Sequence, residues 1–121
     1  MAQHNELGKQ GEAIAREFLL QKGYKVIESN WRYRRAEIDL IVKSEDTLIF
    51  VEVKTRSSNF FGDPEEAVTA KKEALITEAA IAYMRQVDYE WAVRFDILEV
   101  IITSSEQYKV VHIEDAFFAG M

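Results

Sequence analysis

An α/β domain built on a mixed sheet is what the order of patterns in this chain predicts, namely helix, three strands, helix and two strands. Three observations carry that prediction. Apolar residues recur at helical spacing near the N-terminus; two strand-like runs, Glu37-Ile38-Asp39-Leu40-Ile41 and Phe50-Val51-Glu52-Val53-Lys54, lie a hairpin apart; and a capped, alanine-rich helix separates them from a last pair of strands. The first three strands have short connections and can run antiparallel. The fourth follows a long helix, so it can lie parallel within the sheet through a right-handed crossover.

Leu7, Gly11, Ile14 and Phe18, flanked by Ala15 and Leu19, form the stripe of an amphipathic helix, and Gly23 suits its left-handed cap. Tyr24 to Ser29 reads as the first strand. The basic, aromatic segment Asn30-Trp31-Arg32-Tyr33-Arg34-Arg35 then leads into a second strand of about Glu37 to Lys43, and the third runs from about Thr47 to Lys54. After Phe60-Phe61-Gly62, Asp63 can cap a helix with Pro64 at its first position and Glu66 completing a capping box. That helix continues to about Arg85. Trp91 to Ile102 and Tyr108 to Ile113 are the last two strands, joined at Ser104-Ser105-Glu106.

With 121 residues, 48% hydrophobic and 30% charged, one domain with its own core is expected over residues 1–121. The N-terminal residues have no basic-then-apolar signal pattern and no run approaches a membrane span, so a cytoplasmic location without membrane contact is expected. Absence of cysteine excludes disulfides and thiolate metal sites, so any metal must sit on oxygen or imidazole. The net charge of -6 argues against a coat protein for nucleic acid. Its distribution softens the objection: residues 1–56 carry ten Lys/Arg against nine Asp/Glu, whereas residues 78–121 carry three against eight.

Strand side chains alternate faces, so Glu37 and Asp39 share one face of the second strand and Glu52 and Lys54 share one face of the third. If Lys43 pairs with Leu48, Asp39 falls opposite Glu52 and Glu37 opposite Lys54. Four charges then meet in one patch. Paired carboxylates beside a lysine make an oxygen-ligand pocket suited to Mg2+ or Mn2+. A solvent-facing sheet with cross-strand ion pairs produces the same alternation. Against that stands Glu52, flanked by apolar residues on both sides in what reads as a central strand, where an uncompensated carboxylate costs several kcal/mol or changes its protonation.

The chain resembles the YraN-like family of uncharacterised bacterial proteins, which belongs to the PD-(D/E)XK nuclease superfamily and is similar in core layout to archaeal Holliday-junction resolvases. The resemblance runs through Gly8 and Gly11-Glu12-Ala13, Glu37 to Ile41, Phe50-Val51-Glu52-Val53-Lys54-Thr55-Arg56, Phe61-Gly62 and Arg94-Phe95-Asp96. Ala36 departs from it, since the family usually has glycine there. It implies a restriction endonuclease-like αβββαβ core, a mixed sheet flanked by helices. It also implies Asp39, Glu52 and the Val53 carbonyl as ligands of Mg2+ or Mn2+, with Lys54 orienting or deprotonating the attacking water. Glu12, roughly 100° from the centre of the apolar stripe, would close the site from the first helix. A solvated flank position fits it too, and Glu37 suits either a supporting acid or the partner of Lys54.

Arg32, Arg34 and Arg35, interleaved with Trp31 and Tyr33, are candidates for phosphate contacts, with Arg56 extending a basic rim. The two aromatics equally suit packing beneath an exposed strand end. Lys54, Lys71 and Lys72 could extend that rim, although Lys71 and Lys72 on a helix surface equally suit plain solvated charges; His4 and His112 have no ligand spacing; Asp96, after Arg94-Phe95, reads as part of a structural ion pair. Phe60-Phe61-Gly62 suits a plug on the core more than a mobile substrate loop, and the tail Ala116-Phe117-Phe118-Ala119 suits the core or a dimer partner. The expected activity is metal-dependent hydrolysis of phosphodiesters in DNA, of branched or otherwise structured form, by a homodimer if its substrates are resolvase-like. The alternatives are a nucleic-acid-binding module of the same fold with little chemistry, and a protein-interaction scaffold working with a protein partner.

Overall fold

A computed structural model describes residues 2–57, 70–104 and 106–117, with side chains from residue 6 onward. Its elements follow the order α1 (Ala2–Gln21), β1 (Lys25–Tyr33), β2 (Ala36–Ser44), β3 (Thr47–Ser57), α2 (Ala70–Gln86), β4 (Ala92–Ser104) and β5 (Gln107–Ile113). The five strands form one sheet in sequence order. β1–β2, β2–β3 and β4–β5 pair antiparallel, while β3 and β4, joined through α2, pair parallel from Thr47↔Ala92 to Ser57↔Ile102. This α/β arrangement, a mixed sheet with two helices, is consistent with a restriction endonuclease-like core. Among the described residues no helix is long and apolar enough to cross a membrane.

Alternation along β3 supplies both halves of the core. Leu48 and Phe50 pack with Ile76, Ala79, Ala80 and Tyr83 of α2, whereas Ile49 and Val51 pack with Ala15 and Leu19 of α1. The helices therefore cover opposite faces. Gly23, at φ +90°, ends α1 as the sequence suggests, and the Tyr24 N–H returns to the Leu19 carbonyl at 3.0 Å. β1 extends through Asn30–Tyr33, which the sequence reading treated as a lead-in segment, because Trp31 and Tyr33 pack against the α2 cluster and Trp31 meets Tyr83 edge-on at 5.2 Å. Phe117 likewise packs on Phe95, ring centroids 5.0 Å apart, so the described part of the tail belongs to the core. The Asp63–Glu66 cap and the Phe60-Phe61-Gly62 loop lie outside the described residues, as do Phe118 and Ala119 of the tail.

The expected β2–β3 register is present from Ser44↔Thr47 to Leu40↔Val51, and there the paired residues end. Asp39 and Glu52 are not ladder partners, nor are Glu37 and Lys54. The cause lies in β2 itself: Ala36 and Ile38 face α2 while Leu40 and Val42 face α1, so the pleat breaks at Asp39. Across the β1–β2 ladder, between the pairs Ser29↔Leu40 and Trp31↔Ile38, Asn30 takes φ +52°, a left-handed conformation that asparagine tolerates. Two adjacent strands thus distort at one level of the sheet, and the functional candidates collect there.

Candidate active site at the opening between two strands

Where the β2–β3 ladder stops, the Asp39 carboxylate replaces the missing carbonyl, its Oδ2 accepting the Val53 N–H at 2.7 Å. This bond fixes the carboxylate in the gap between the strands. Glu52, one residue back along β3 and buried on the α2 side with its side chain 8% exposed, binds the Lys72 ammonium at 2.9 Å and the Lys54 ammonium at 3.5 Å. Glu12 reaches the same region from α1 and hydrogen-bonds the Asn30 side chain. What allows α1 so close is Gly11: a Cβ there would overlap the Thr55 hydroxyl and stand 2.7 Å from Thr55 Cβ.

Electrostatically the site is overloaded with acid. Burial first, and the charge of Glu52 second, push the Asp39 carboxyl up to about 7 despite the Val53 N–H, with Glu12 and Glu37 adding to the rise. Burial also raises Glu12, opposed by Asn30 and reinforced by Glu37 and Glu52. Lys54 is pushed below the usual lysine range, by burial most and then by Lys72 beside it, with Glu52 pulling the other way. For Lys72, burial works downward but is overcome by hydrogen bonds to Glu52 and Lys54, so its ammonium is the firmer of the two.

The predicted residues are therefore brought together in part. Asp39, Glu52, Lys54 and Glu12 converge. Glu37 does not pair with Lys54; it binds Arg32 at 3.3 Å, because the ladder that would have aligned it with Lys54 has ended, and it acts on Asp39 and Glu12 through its charge. Arg34 binds Glu78 of α2 at 3.0 Å, Arg35 lies exposed in the β1–β2 turn, and Arg56 binds the buried Glu99 of β4 at 3.3 Å. Of the two readings of Lys72, the structure favours the basic rim over the solvated charge, since its ammonium binds Glu52. Its signal was in the sequence: Lys72, Ile76, Ala79, Ala80 and Tyr83 share one helical stripe, and the last four are its buried residues. Asn30, the partner of Glu12, carries no such signal, because its role arises from a local break in β1.

Two carboxylates are the donor chemistry of a magnesium-like ion, which binds one or two carboxylates and keeps several waters. No three Asp, Glu or His side chains among the described residues gather closely enough to hold a metal by themselves. An ion here would rely on Asp39 and Glu52, and its positive charge would oppose the burial and the Glu52 charge that raise the Asp39 carboxyl.

A second polar cluster lies on the α1 face of β4, where Asp96 pairs with Val51 next to Glu52. Asp96, fully buried, accepts both Arg94 Nε and a second guanidinium N–H at 2.8 Å, bonds His112 Nε2 at 2.7 Å, and accepts the Asp115 N–H at 3.0 Å. The structural ion pair expected for Asp96 is present. Lys22 donates to His112 Nδ1 at 2.9 Å, leaving Nε2–H as the group that donates to Asp96.

Residues 11–100, which contain every acid of the site and Lys54 and Lys72, match a family described as Uncharacterised protein family UPF0102. The chain is similar to the UPF0102 proteins of Flavobacterium psychrophilum, 45% identical over 118 residues, and of Parabacteroides distasonis, 45% identical over 119. A third, from Christiangramia forsetii, is 46% identical over 118 residues, and in all three cases the match covers 98% of both chains. The chain belongs to the UPF0102 family.

Proposed function

We propose that this protein is a metal-dependent nuclease of the PD-(D/E)XK kind, hydrolysing phosphodiester bonds in DNA of branched or otherwise structured form. The observation that carries the reading is geometric: Asp39 and Glu52 stand at an opening in the sheet, with Lys54 two residues beyond Glu52 and in contact with it. Bound Mg2+ or Mn2+ would polarise the scissile phosphate and acidify water. The chain's own residues then have distinct tasks. Asp39 and Glu52, with the Val53 carbonyl, would hold the cation; Glu12 would add charge from the α1 side. Lys54, half-buried and shifted toward its neutral form, positions the attacking water or takes its proton, and Lys72 steadies Glu52 and adds positive charge facing the phosphate.

One contact favours a second reading, a nucleic-acid-binding module with little chemistry. Lys72 already occupies a Glu52 oxygen at 2.9 Å, as in a finished ion-pair network. Calorimetric titration of Mn2+ into wild type and Asp39→Ala/Glu52→Ala, paired with cleavage assays on branched, single-stranded and duplex DNA, separates the two. The nuclease reading expects metal binding and cleavage in wild type, both lost in the double variant, and cleavage reduced about 100-fold or more in Lys54→Ala. Unchanged DNA affinity in EDTA with no cleavage in either metal would support the module; cleavage that survives the double variant would belong to a contaminant.

A further inference from the structure

Beyond the metal-binding candidates, a groove runs between the β1–β2 turn and α2. Its first cavity, about 320 Å3, opens beside the site between Arg35, Glu37, Lys71 and Lys72, with Leu75 and Ile76 beneath. The next, about 160 Å3, shares Arg35 and Leu75 and adds Tyr33, Arg34 and Glu78. A third, about 520 Å3, shares Tyr33 and Glu78 and ends at Ile81, Ala82 and Arg85. Shared lining residues make the three one path. From Lys71 to Arg85 it follows α2 for about 20 Å at 1.5 Å per residue, the length of about six stacked nucleotides at 3.4 Å per strand.

The charges along this path are sorted. Both acids are held by arginines, Glu37 by Arg32 and Glu78 by Arg34. Arg35, Lys71 and Arg85 have no carboxylate partner among the described residues. The path therefore carries surplus positive charge at its start and its far end. Between them lie the apolar floor of Leu75, Ile81 and Ala82 and the Tyr33 ring, over which the Arg34 guanidinium sits at 5.1 Å. Cations in sequence with aromatic and guanidinium surface between them are the recognition elements of a single strand, phosphates on the charges and bases on the π surface.

We infer that this groove receives an unpaired DNA strand leaving the Asp39–Glu52 site, held by Arg35, Lys71 and Arg85 and by stacking on the Arg34 guanidinium that lies over Tyr33. The inference rests on the nuclease reading for its substrate and narrows it to DNA in which a single strand departs from a duplex. It also separates the arginines at the β1–β2 end: Arg35 contacts phosphate, whereas Arg32, on β1, and Arg34, in the turn, hold the groove's acids.

Fluorescence anisotropy in EDTA tests this without any cleavage, using a labelled duplex with a single-stranded tail of about eight nucleotides and the same duplex blunt-ended. Wild type should bind the tailed DNA about tenfold more tightly. Arg35→Ala/Lys71→Ala should abolish that preference while leaving blunt-duplex affinity within about twofold, and should flatten the salt dependence on tailed DNA by about 1.4 in log–log slope, near 0.7 per lost single-strand contact. Lys109→Ala, on β5, is the charge control and should retain the preference, and circular dichroism establishes that each variant is folded. Equal affinity of wild type for the two DNAs would overturn the inference, as would a double variant that weakens both equally. A protein that cleaves DNA yet shows no tail preference keeps the nuclease reading and loses the groove; one that prefers tails but cleaves nothing keeps the groove.

Discussion

Asp39 performs two jobs that conflict. Its Oδ2 repairs the β2–β3 ladder by accepting the Val53 N–H, which favours the charged form, while burial and Glu52 disfavour it and hold the group near 7. A carboxyl raised in the folded state keeps its proton when the unfolded chain has lost it. Between about pH 4 and pH 7 the native state therefore binds more protons, and stability of the metal-free protein falls as pH rises through that window. Asp39→Asn keeps an oxygen for Val53 and removes the charge. In EDTA at pH 8 it should melt several degrees above wild type, with the difference vanishing near pH 4, and Mg2+ should raise the melting temperature of wild type alone. A variant no more stable than wild type at pH 8 would show that the Asp39 charge is already compensated. None of this tension was legible in the residue types. Acids at alternate positions identified the pair, but the broken pleat that sets their spacing depends on Ile38 and Leu40 choosing opposite helices.

At the level of elements, the hairpin register and the parallel β3–β4 crossover were readable because turn position and connection length constrain them locally. Lys72 was readable in principle from the α2 stripe. The descent of α1 onto β3 was not, although Gly11 is its mark, since a glycine in a helix stripe says nothing about which neighbour needs the space. The contact with Thr55 makes a firm prediction. Gly11→Ala gains up to about 1 kcal/mol of helix propensity, yet its Cβ meets the Thr55 side chain and must push α1 and the sheet apart, costing roughly 1–3 kcal/mol of overpacking. Net destabilisation in urea unfolding is expected, together with weaker Mn2+ binding as Glu12 moves away. Thr55→Ala in the same chain should restore part of both. If Gly11→Ala alone matched wild type in stability and metal affinity, α1 would not be seated by this contact.

Across the whole molecule the two polar clusters solve opposite problems. The Asp39 site concentrates acids and leaves them short of positive charge. The Asp96 cluster spends an arginine, a histidine and a backbone N–H on one carboxylate, and through Tyr24, which accepts from Arg94 at 3.2 Å, and Lys22 it ties the segment after α1 to β4 and β5. The Arg94–Asp96 pair could be read from spacing along one strand. His112 could not, because its approach depends on the β4–β5 register, which shifts between Ile102 and Ser104. Burial works to raise the Asp96 carboxyl, but His112, Arg94 and the Asp115 N–H together hold it down to about 2. For a depressed carboxyl the unfolded state takes up protons first as pH falls. The stabilisation, about 2 kcal/mol for a shift of this size, is fully present above about pH 4 and is lost as pH drops through 2. Chemical unfolding at pH 7, 4 and 2.5 should show wild type losing stability between the last two, with Asp96→Asn less stable at pH 7 but flatter over the same interval. Arg94→Met, which leaves the buried carboxylate without its guanidinium, should cost about 3–5 kcal/mol at pH 7 and lose less on acidification than wild type. Parallel acid profiles for wild type and Asp96→Asn would mean that the clamp joining β4, β5 and the end of α1 draws its strength from packing around Phe18 and Tyr24 instead of from this charge.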